Sequence, residues 1–486
     1  MAEVLSFPLL PTFRDPAGSV ELRPDGVYRR IRAPFDADIL AFLALPLASR
    51  LVADGRLVAS EILPRASAAA HQRAVNHPAL TDQLADDRPE EAPLTLRHPR
   101  VSFTSYPWEW SPALWLAAAE LTLSLSADLV REGWQLKDAT PLNVLFEGTR
   151  PVFVDVLSIE RARHGASIWL AYGQFVRTFL LPMLAYTKLG WPLDAVLMRR
   201  DGYEPEEVYT ALGWPARLTQ PALTAVTLPS LLSARGASST TLASRTMKDP
   251  ELARQVILKM LDGLRKQMRR AAPQQRNSAW TGYAETATHY SDDDHSLKRA
   301  FVTQALTVSK PARVLDVGCN SGAYSRLAAE AGGAEVVAID TDLDTVDRFA
   351  ASLQGINAKI LPLRVNLARP TPSAGWENRE TASFLRRATG HFDAVMMLAV
   401  IHHLLLSSQI PMERIAALCA NLTTRHLIVE WVPPTDVKFQ ELVRGREAIY
   451  GHITESAFRE AFMRSFVIVR ECRLSNGRVL LHLQKA

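Results

Sequence analysis

The residues of this sequence best suited to hold a charged ligand flank a glycine-rich turn in the C-terminal half. The segment 314–322 (VLDVGCNSG) reads as an apolar strand that enters a tight turn. Gly318 and Gly322 permit that turn and let the backbone approach a ligand closely. Asp316 would repel a pyrophosphate but suits a ligand with an ammonium group. Asp340 ends the next apolar run, where a carboxylate accepts hydrogen bonds from ribose hydroxyls.

The pattern of the turn, D-x-G-x-N-x-G, differs from the GxGxxG of dinucleotide-binding proteins. It resembles the class I S-adenosylmethionine-dependent methyltransferases. The resemblance implies a Rossmann-like, doubly wound α/β sheet with S-adenosylmethionine as cofactor. It assigns Asp316, Gly318, Asn320 and Gly322 to the amino-acid end of the cofactor and Asp340 to its ribose. Asn320 stands where a glycine is more usual, and a turn that needs glycine only for its geometry is the alternative.

The later strands of this half contribute four further candidates. Asn366, in LPLRVNL, lies where the family often places an aspartate against the adenine amino group. His402 and His403, in AVIHHL, follow the fourth strand, and imidazole titrates near neutral pH, so either is a candidate base. Glu430 ends the fifth strand, where ligands bind in open α/β sheets, and is the third candidate base. The alternatives are a packing role for the histidines and a solvated acid at the strand end.

An aromatic segment, 280–291 (WTGYAETATHYS), precedes the first helix of this half. In similar methyltransferases such a segment covers the cofactor, so Tyr283 is a candidate cofactor-binding residue. A ring over a sulfonium is favoured by the cation–π interaction. Ordinary packing of these rings is the alternative.

Methyl transfer from a sulfonium is a displacement in which the protein mainly positions and deprotonates the acceptor. We therefore predict transfer to an oxygen or nitrogen nucleophile of a small-molecule, saccharide or peptide-like biosynthetic intermediate. The sequence has no Asn/Asp-Pro-Pro-Tyr segment of the kind that base-modifying methyltransferases use, and no evident metal-binding acid set. A non-catalytic protein that only binds S-adenosylmethionine is an alternative.

The N-terminal half contains a second group of polar residues, Asp138, Asn143 and Asp155. Their spacing resembles the catalytic loop of kinases and aminoglycoside-phosphotransferase-like proteins. This implies an α+β domain in which the first aspartate orients an acceptor hydroxyl and the other two residues hold magnesium with ATP. The glycine-rich loop and the usual lysine are missing, with Arg29 or Arg30 as its substitute. We predict a degenerate kinase-like domain that recognises substrate or partner. An active Mg-ATP phosphotransferase and a hairpin with chance acids are the alternatives.

The whole chain resembles a bacterial family of two-part proteins, through SYPWEWS at 105–111, KDATPLNVLF at 137–146 and the two C-terminal motifs. SYPWEWS would lie at the hinge of the kinase-like fold. The predicted division is a kinase-like domain over 1–231, a linker with a basic helix over 232–276, and a methyltransferase domain over 277–486.

Composition narrows the class of protein. The chain has 486 residues, 48% of them hydrophobic, and a net charge of +4, which is ordinary for a folded protein. Its three cysteines form no CxxC pair, so neither a zinc site of that kind nor a disulfide framework is expected. No secretory signal is recognised, and we expect a cytoplasmic protein without membrane partners. The basic helix at 250–271 raises RNA as an alternative partner, although such a charge run is more often a solvated face.

Local patterns also predict individual elements. We expect one helix over Asp36–Ala53, one over Leu80–Asp87, a strand over Val101–Tyr106 and a long helix over Ser111–Glu132. Hairpins are predicted over 19–31 and at the C-terminus.

Overall fold

The computed structural model describes residues 14–64, 93–234, 246–273 and 292–486. Within them the chain forms an N-terminal region of small antiparallel sheets and helices and a C-terminal region on a seven-stranded sheet. The predicted helix over 80–87 and most of the polar stretch 232–244 lie outside the described residues.

The strands of the N-terminal region are β1 (Gly18–Arg23), β2 (Gly26–Ile31), β3 (Glu61–Leu63), β4 (Leu94–His98), β5 (Trp134–Leu136), β6 (Val144–Glu147), β7 (Arg150–Phe153) and β8 (Ile159–Arg161). The first four form an antiparallel sheet in the order β1-β2-β4-β3, and the others pair as β5 with β8 and β6 with β7. The predicted hairpin is confirmed, since β1 and β2 pair around a two-residue turn.

The helices of this region are mostly short, apart from two long ones that pack together. They are α1 (Phe35–Leu43), α2 (Pro46–Ala53), α3 (Pro112–Arg131), α4 (Tyr172–Phe175), α5 (Leu181–Leu189), α6 (Pro205–Ala211), α7 (Trp214–Arg217), α8 (Leu228–Ala234) and α9 (Pro250–Ala271).

Two expectations for this region are wrong. The segment predicted as one helix is two, α1 and α2, because Pro46 lacks an amide hydrogen and begins a new helix. The predicted strand over Val101–Tyr106 is not a strand. Its Thr104 carbonyl accepts a hydrogen bond from the Arg387 side chain of the other region instead of from a neighbouring strand.

Helix α3 forms the centre of the N-terminal region. As predicted, Ser111 precedes it, Pro112 begins it, and Gly133 follows its end with a φ of +78°. By length and composition α3 would also suffice to cross a membrane, yet 67% of its most apolar window is buried inside the protein. Helix α9 packs along α3, and Glu120 on α3 pairs with Arg265 and Arg269 of its basic run.

The C-terminal region alternates strands and helices, as the sequence predicts. The strands are β9 (Arg313–Val317), β10 (Glu335–Asp340), β11 (Ile360–Arg364), β12 (Phe392–Met397), β13 (Thr423–Trp431), β14 (Phe466–Arg473) and β15 (Val479–Lys485). The helices are α10 (Asp292–Ser309), α11 (Ala323–Gly332), α12 (Leu343–Leu353), α13 (Phe384–Ala388), α14 (Ile401–Leu406), α15 (Met412–Leu422), α16 (Val437–Val443) and α17 (Glu455–Met463).

The strands of this sheet follow the order β11-β10-β9-β12-β13-β15-β14. The first five are parallel, and β15 inserts antiparallel between β13 and β14. The predicted doubly wound sheet with a terminal antiparallel hairpin is therefore confirmed. The order reverses between β9 and β12, and an open sheet of this kind binds ligands at that switch, beyond the carboxyl ends of its strands.

Candidate cofactor and acceptor site

The turn after β9 has the conformation that its glycines predict. Gly318, Asn320 and Gly322 have φ values of +72°, +47° and +82°, the left-handed region that favours glycine. A Cβ at Gly318 would lie 2.5 Å from a methyl group of Val400, and one at Gly322 would lie 1.9 Å from the Phe349 ring. Asparagine tolerates this region better than other side chains, which explains how Asn320 replaces a glycine.

Asp316 lies beneath this turn with 3% of its surface exposed. Burial, together with the nearby charge of Asp340, raises the pKa of its carboxyl to about 6. The Ser325 hydroxyl donates a 2.6 Å hydrogen bond to its Oδ2, which opposes the rise. A buried carboxylate below a glycine turn suits the ammonium group of S-adenosylmethionine, because the cation would stabilise its ionised form.

Asp340 ends β10 beside the same turn. Its Oδ2 accepts a 3.0 Å hydrogen bond from the Asn320 amide, and its Oδ1 accepts one of 3.0 Å from the Asp342 amide. Each carboxylate oxygen has two lone pairs, so each can still accept a ribose hydroxyl. The backbone therefore fixes the orientation of the group that is predicted to bind the ribose.

Asn366 lies just after β11 and is exposed. Its side-chain oxygen accepts a 2.9 Å hydrogen bond from the Ala368 amide. One lone pair of that oxygen remains for the adenine amino group. The adenine contact of Asn366 stays a prediction. Tyr283, with the other rings of its segment, lies outside the described residues.

The two histidines follow β12 and face different neighbours. Their ring centroids lie 4.2 Å apart. Burial, together with the charges of His403 and Arg478, lowers the pKa of His402 to about 3. Its Nδ1 is buried and has no hydrogen-bond partner among the described residues. Burial also lowers the pKa of His403, and the charge of Asp340 opposes that shift.

Glu430, at the end of β13, is completely buried. The alternative of a solvated strand-end acid is therefore wrong. Lys298 Nζ lies 2.6 Å from its Oε2, and Arg478 Nη1 lies 3.3 Å from its Oε1. Arg478 also donates a 2.8 Å hydrogen bond from Nε to Asp436. Two cations favour the ionised carboxylate and weaken it as a proton acceptor. Its role as a base stays a prediction.

Lys298, Arg478 and Asp436 were not identified from the sequence. They come from α10, from the turn before β15 and from the loop after β13. No local spacing relates them to Glu430. An acid at the end of a buried strand is a signal that a cation must lie nearby, but it does not say which one.

The N-terminal residues whose spacing predicts a kinase-like loop also lie close together. Asp155 forms an ion pair with Arg29, whose Nη1 lies 2.6 Å from its Oδ1, and its Oδ2 accepts a hydrogen bond from Ser158. Asn143 donates a 3.2 Å hydrogen bond to the same Ser158 hydroxyl. Arg29 and Arg30 were the two candidates to replace the usual kinase lysine, and Arg29 is the one that pairs with Asp155.

Asp138 lies in the same loop and is half-buried. Gln174 on α4 donates a 3.3 Å hydrogen bond to its Oδ1. Burial raises the pKa of its carboxyl, and Gln174 and the neighbouring Lys137 oppose that rise. No cluster of three or more metal-ligating side chains occurs within residues 14–64, 93–234, 246–273 and 292–486.

The SYPWEWS segment forms the contact between the two regions. Glu109 is completely buried and pairs with Arg387 on α13, whose Nη1 lies 3.0 Å from its Oε2. The Arg387 guanidinium also lies 4.8 Å from the centre of the Tyr106 ring. The N-terminus of α3 adds a further link, since the Ala113 amide donates a 2.6 Å hydrogen bond to Asp347 on α12.

Comparison with known proteins identifies the family. Residues 288–453 match the family described as a methyltransferase domain. The nodulation protein NoeA of Rhizobium meliloti (strain 1021) is 32% identical over 393 residues, which cover 77% of this chain and 78% of that protein. The chain belongs to the NoeA family. It is an S-adenosylmethionine-dependent methyltransferase, as the turn motif predicts.

Two structures illustrate the likeness at lower identity. The magnesium protoporphyrin IX methyltransferase of Synechocystis PCC 6803, with bound S-adenosylmethionine, is 19% identical, and the match covers 44% of this chain and 87% of that one, with a TM-score of 0.29. The bifunctional kinase-methyltransferase WbdD is 17% identical, with 42% and 41% covered and a TM-score of 0.30. Neither value bears on the substrate of the NoeA family.

Proposed function

We propose that this chain transfers a methyl group to an oxygen or nitrogen nucleophile of a small-molecule, saccharide or peptide-like biosynthetic intermediate. The N-terminal kinase-like region contributes to recognition of that intermediate. The observation that carries the proposal is the buried Nδ1 of His402, which has no partner among the described residues and lies two positions after Val400, the residue against Gly318 of the cofactor turn (residues 318–322).

The position of His402 supports a role toward the acceptor. Val400, two residues earlier, lies against Gly318 of the cofactor turn, so the turn after β12 borders the crevice for the cofactor. His403 lies on the Asp340 side, whereas the charged neighbours of His402 include Arg478 and Glu430. His402 is thus assigned to the acceptor and His403 to the cofactor side.

The protonation state of His402 suits a hydrogen bond to the methyl acceptor, which would orient the acceptor and leave its proton to be lost to solvent. A histidine with a pKa of about 3 is neutral at pH 7 and offers one ring nitrogen as an acceptor. That nitrogen can take a hydrogen bond from a hydroxyl or amine and orient its lone pair toward the cofactor. S-adenosylmethionine supplies the methyl group and the leaving group when it is bound.

In this proposal the kinase-like loop of the N-terminal region helps to recognise the substrate and does not transfer phosphate. Arg29 and Ser158 contact the carboxylate of Asp155 that would otherwise coordinate magnesium. Contacts that include those at Glu109, Ala113 and Thr149 join this region to the methyltransferase region. A substrate held by one region can therefore be kept in a constant position relative to the other.

The experiment is methyl transfer by the full chain to a panel of saccharides and peptides with free hydroxyl and amine groups, read by mass spectrometry. We expect His402→Gln to lower kcat at least tenfold with little change in the affinity for S-adenosylmethionine. His164→Gln, at an exposed histidine, is the matched control. Equal kcat in His402→Gln and the control would refute the role of His402. Methylation of carbon nucleophiles alone would refute the acceptor class.

A further inference from the structure

A cleft between the two regions opens at the amino ends of the parallel strands, the edge opposite the cofactor turn. Arg313 begins β9, Glu335 begins β10, and His391 immediately precedes β12. The cleft has a volume of about 420 Å³. That volume lies within the range of about 300–1,000 Å³ that is usual for small-molecule sites. The sheet itself therefore separates this cleft from the S-adenosylmethionine crevice.

The walls of the cleft carry an excess of positive charge. Arg100 and Arg150 come from the N-terminal region, and Arg313 and Lys359 come from the methyltransferase region. Arg150 pairs with Glu147, and Arg313 lies 3.8 Å from Asp393. Within the described residues, neither Arg100 nor Lys359 forms an ion pair. Arg100 only donates a hydrogen bond to the backbone carbonyl of Arg23.

Close backbone contact holds the two walls in register. A Cβ at Gly148, in the turn between β6 and β7, would lie 2.3 Å from the Ala358 carbonyl oxygen. Its neighbour Thr149 donates a 3.3 Å hydrogen bond to the Leu353 carbonyl. The cleft is therefore bounded by two regions that cannot slide past each other without breaking these contacts.

Aromatic side chains form the floor of the cleft beside these cations. The His391 ring lies 5.4 Å from the Phe103 ring and 4.9 Å from the Phe392 ring, centre to centre. Burial, together with the charges of Arg313 and Arg100, lowers the pKa of His391 to about 4, against the opposing charge of Asp393. The guanidinium groups of Arg313 and Arg100 thus both lie close enough to His391 to influence its charge.

We propose that this cleft is a second binding site, for a phosphate-bearing small molecule that bridges Arg100 of the N-terminal region and Lys359 and Arg313 of the methyltransferase region. A phosphate group offers several acceptor oxygens and a high negative charge, and the planar arginine fork binds such oxygens in pairs. Cations from both regions would contact one ligand, so its binding would also strengthen the contact between them. This inference is independent of the methyl acceptor.

The test is calorimetric titration of the full chain with inorganic pyrophosphate at constant ionic strength, with citrate as a carboxylate comparison. We expect saturable binding of pyrophosphate, weakened at least tenfold in the double variant Arg100→Gln/Lys359→Gln. The matched control is Arg50→Gln/Lys188→Gln, which removes two exposed cations far from the cleft in sequence and should leave the affinity unchanged.

Titration of the same samples with S-adenosylmethionine keeps the outcomes separate. Unchanged affinity for the cofactor in both double variants shows that they are folded and that the two sites are distinct. Absence of pyrophosphate binding to the native chain, or an equal loss in the control variant, would overturn the proposal. Citrate binding as tight as that of pyrophosphate would overturn the assignment to phosphate. None of these outcomes concerns His402 or the methyl acceptor.

Discussion

The carboxylates at the glycine turn of the C-terminal region and those of the N-terminal loop (residues 138–158) have different partners. At the turn, Asp340 accepts hydrogen bonds from two backbone amides. In the loop, Asp155 is held by the side chains of Arg29 and Ser158, and Asp138 is held by Gln174. Backbone amides orient a carboxylate without cancelling its charge, whereas an arginine supplies a full opposite charge.

This difference teaches how to interpret acidic residues in a motif. In both regions the spacing of the acidic residues resembles that of a known binding site. In the N-terminal loop, however, Arg29 on β2 already pairs with Asp155. We infer that the turn is preorganised for an external ligand, whereas Asp155 in the loop is already held by Arg29 and Ser158 and is not open to magnesium.

Loss of the buried ion pair between the two regions should have the largest effect on the stability of the protein. Glu109→Ala leaves Arg387 buried without its carboxylate, and breaking a buried pair in this way costs about 3–5 kcal/mol. Urea unfolding followed by circular dichroism measures this loss. The comparison is Glu120→Ala, whose partners Arg265 and Arg269 are partly exposed, and which should cost about 1 kcal/mol or less. Equal losses would contradict a special role for SYPWEWS at the interface.

The carboxylates themselves should differ in their effect on cofactor binding. Asp340→Ala removes the proposed acceptor of two ribose hydroxyls, and each hydrogen bond to a charged group is worth about 1.5–3 kcal/mol. We expect calorimetry to show a loss of affinity for S-adenosylmethionine of at least tenfold. Asp155→Ala is the matched variant in the other region and should bind within twofold of the native chain. Equal affinity in native protein and Asp340→Ala would refute the ribose assignment.

Cofactor affinity should also depend on pH through Asp316. Its pKa is raised to about 6, so the carboxyl is protonated below that pH and ionised above it. The cofactor ammonium favours the ionised form, and affinity should therefore fall as the pH decreases through 6, by at most about tenfold per pH unit. The neighbouring charges on this group are Asp340 and Lys298. Asp316→Asn should remove the slope, and a slope that persists in this variant would assign it to another group.

The smallest expected effect concerns magnesium at the N-terminal loop. Because Arg29 and Ser158 contact Asp155, we expect the affinity of the full chain for ATP to be the same with and without magnesium. Fluorescence titration with a labelled ATP analogue measures this. A strong magnesium dependence, lost in Asp155→Asn, would restore the active phosphotransferase and end the contrast between the two regions.

Much of the C-terminal fold could be predicted from the sequence, because its signals are local. The apolar strand before Gly318, the glycines of the turn and the acid at Asp340 lie within one βαβ unit. The predictions of secondary structure were wrong where a proline or a contact between the two regions overruled the local pattern. Pro46 divides a helix that periodicity joins, and Thr104 lies in a segment whose carbonyl bonds across to Arg387.

By itself, the sequence determined the family, the cofactor and the residues of the glycine turn. Tertiary structure alone decided which charges meet. Glu109 and Arg387 are 278 positions apart, and Lys298 and Glu430 are 132 apart. The physical reason is that a buried charge must find an opposite charge anywhere in the folded chain, and spacing along the sequence does not limit that choice.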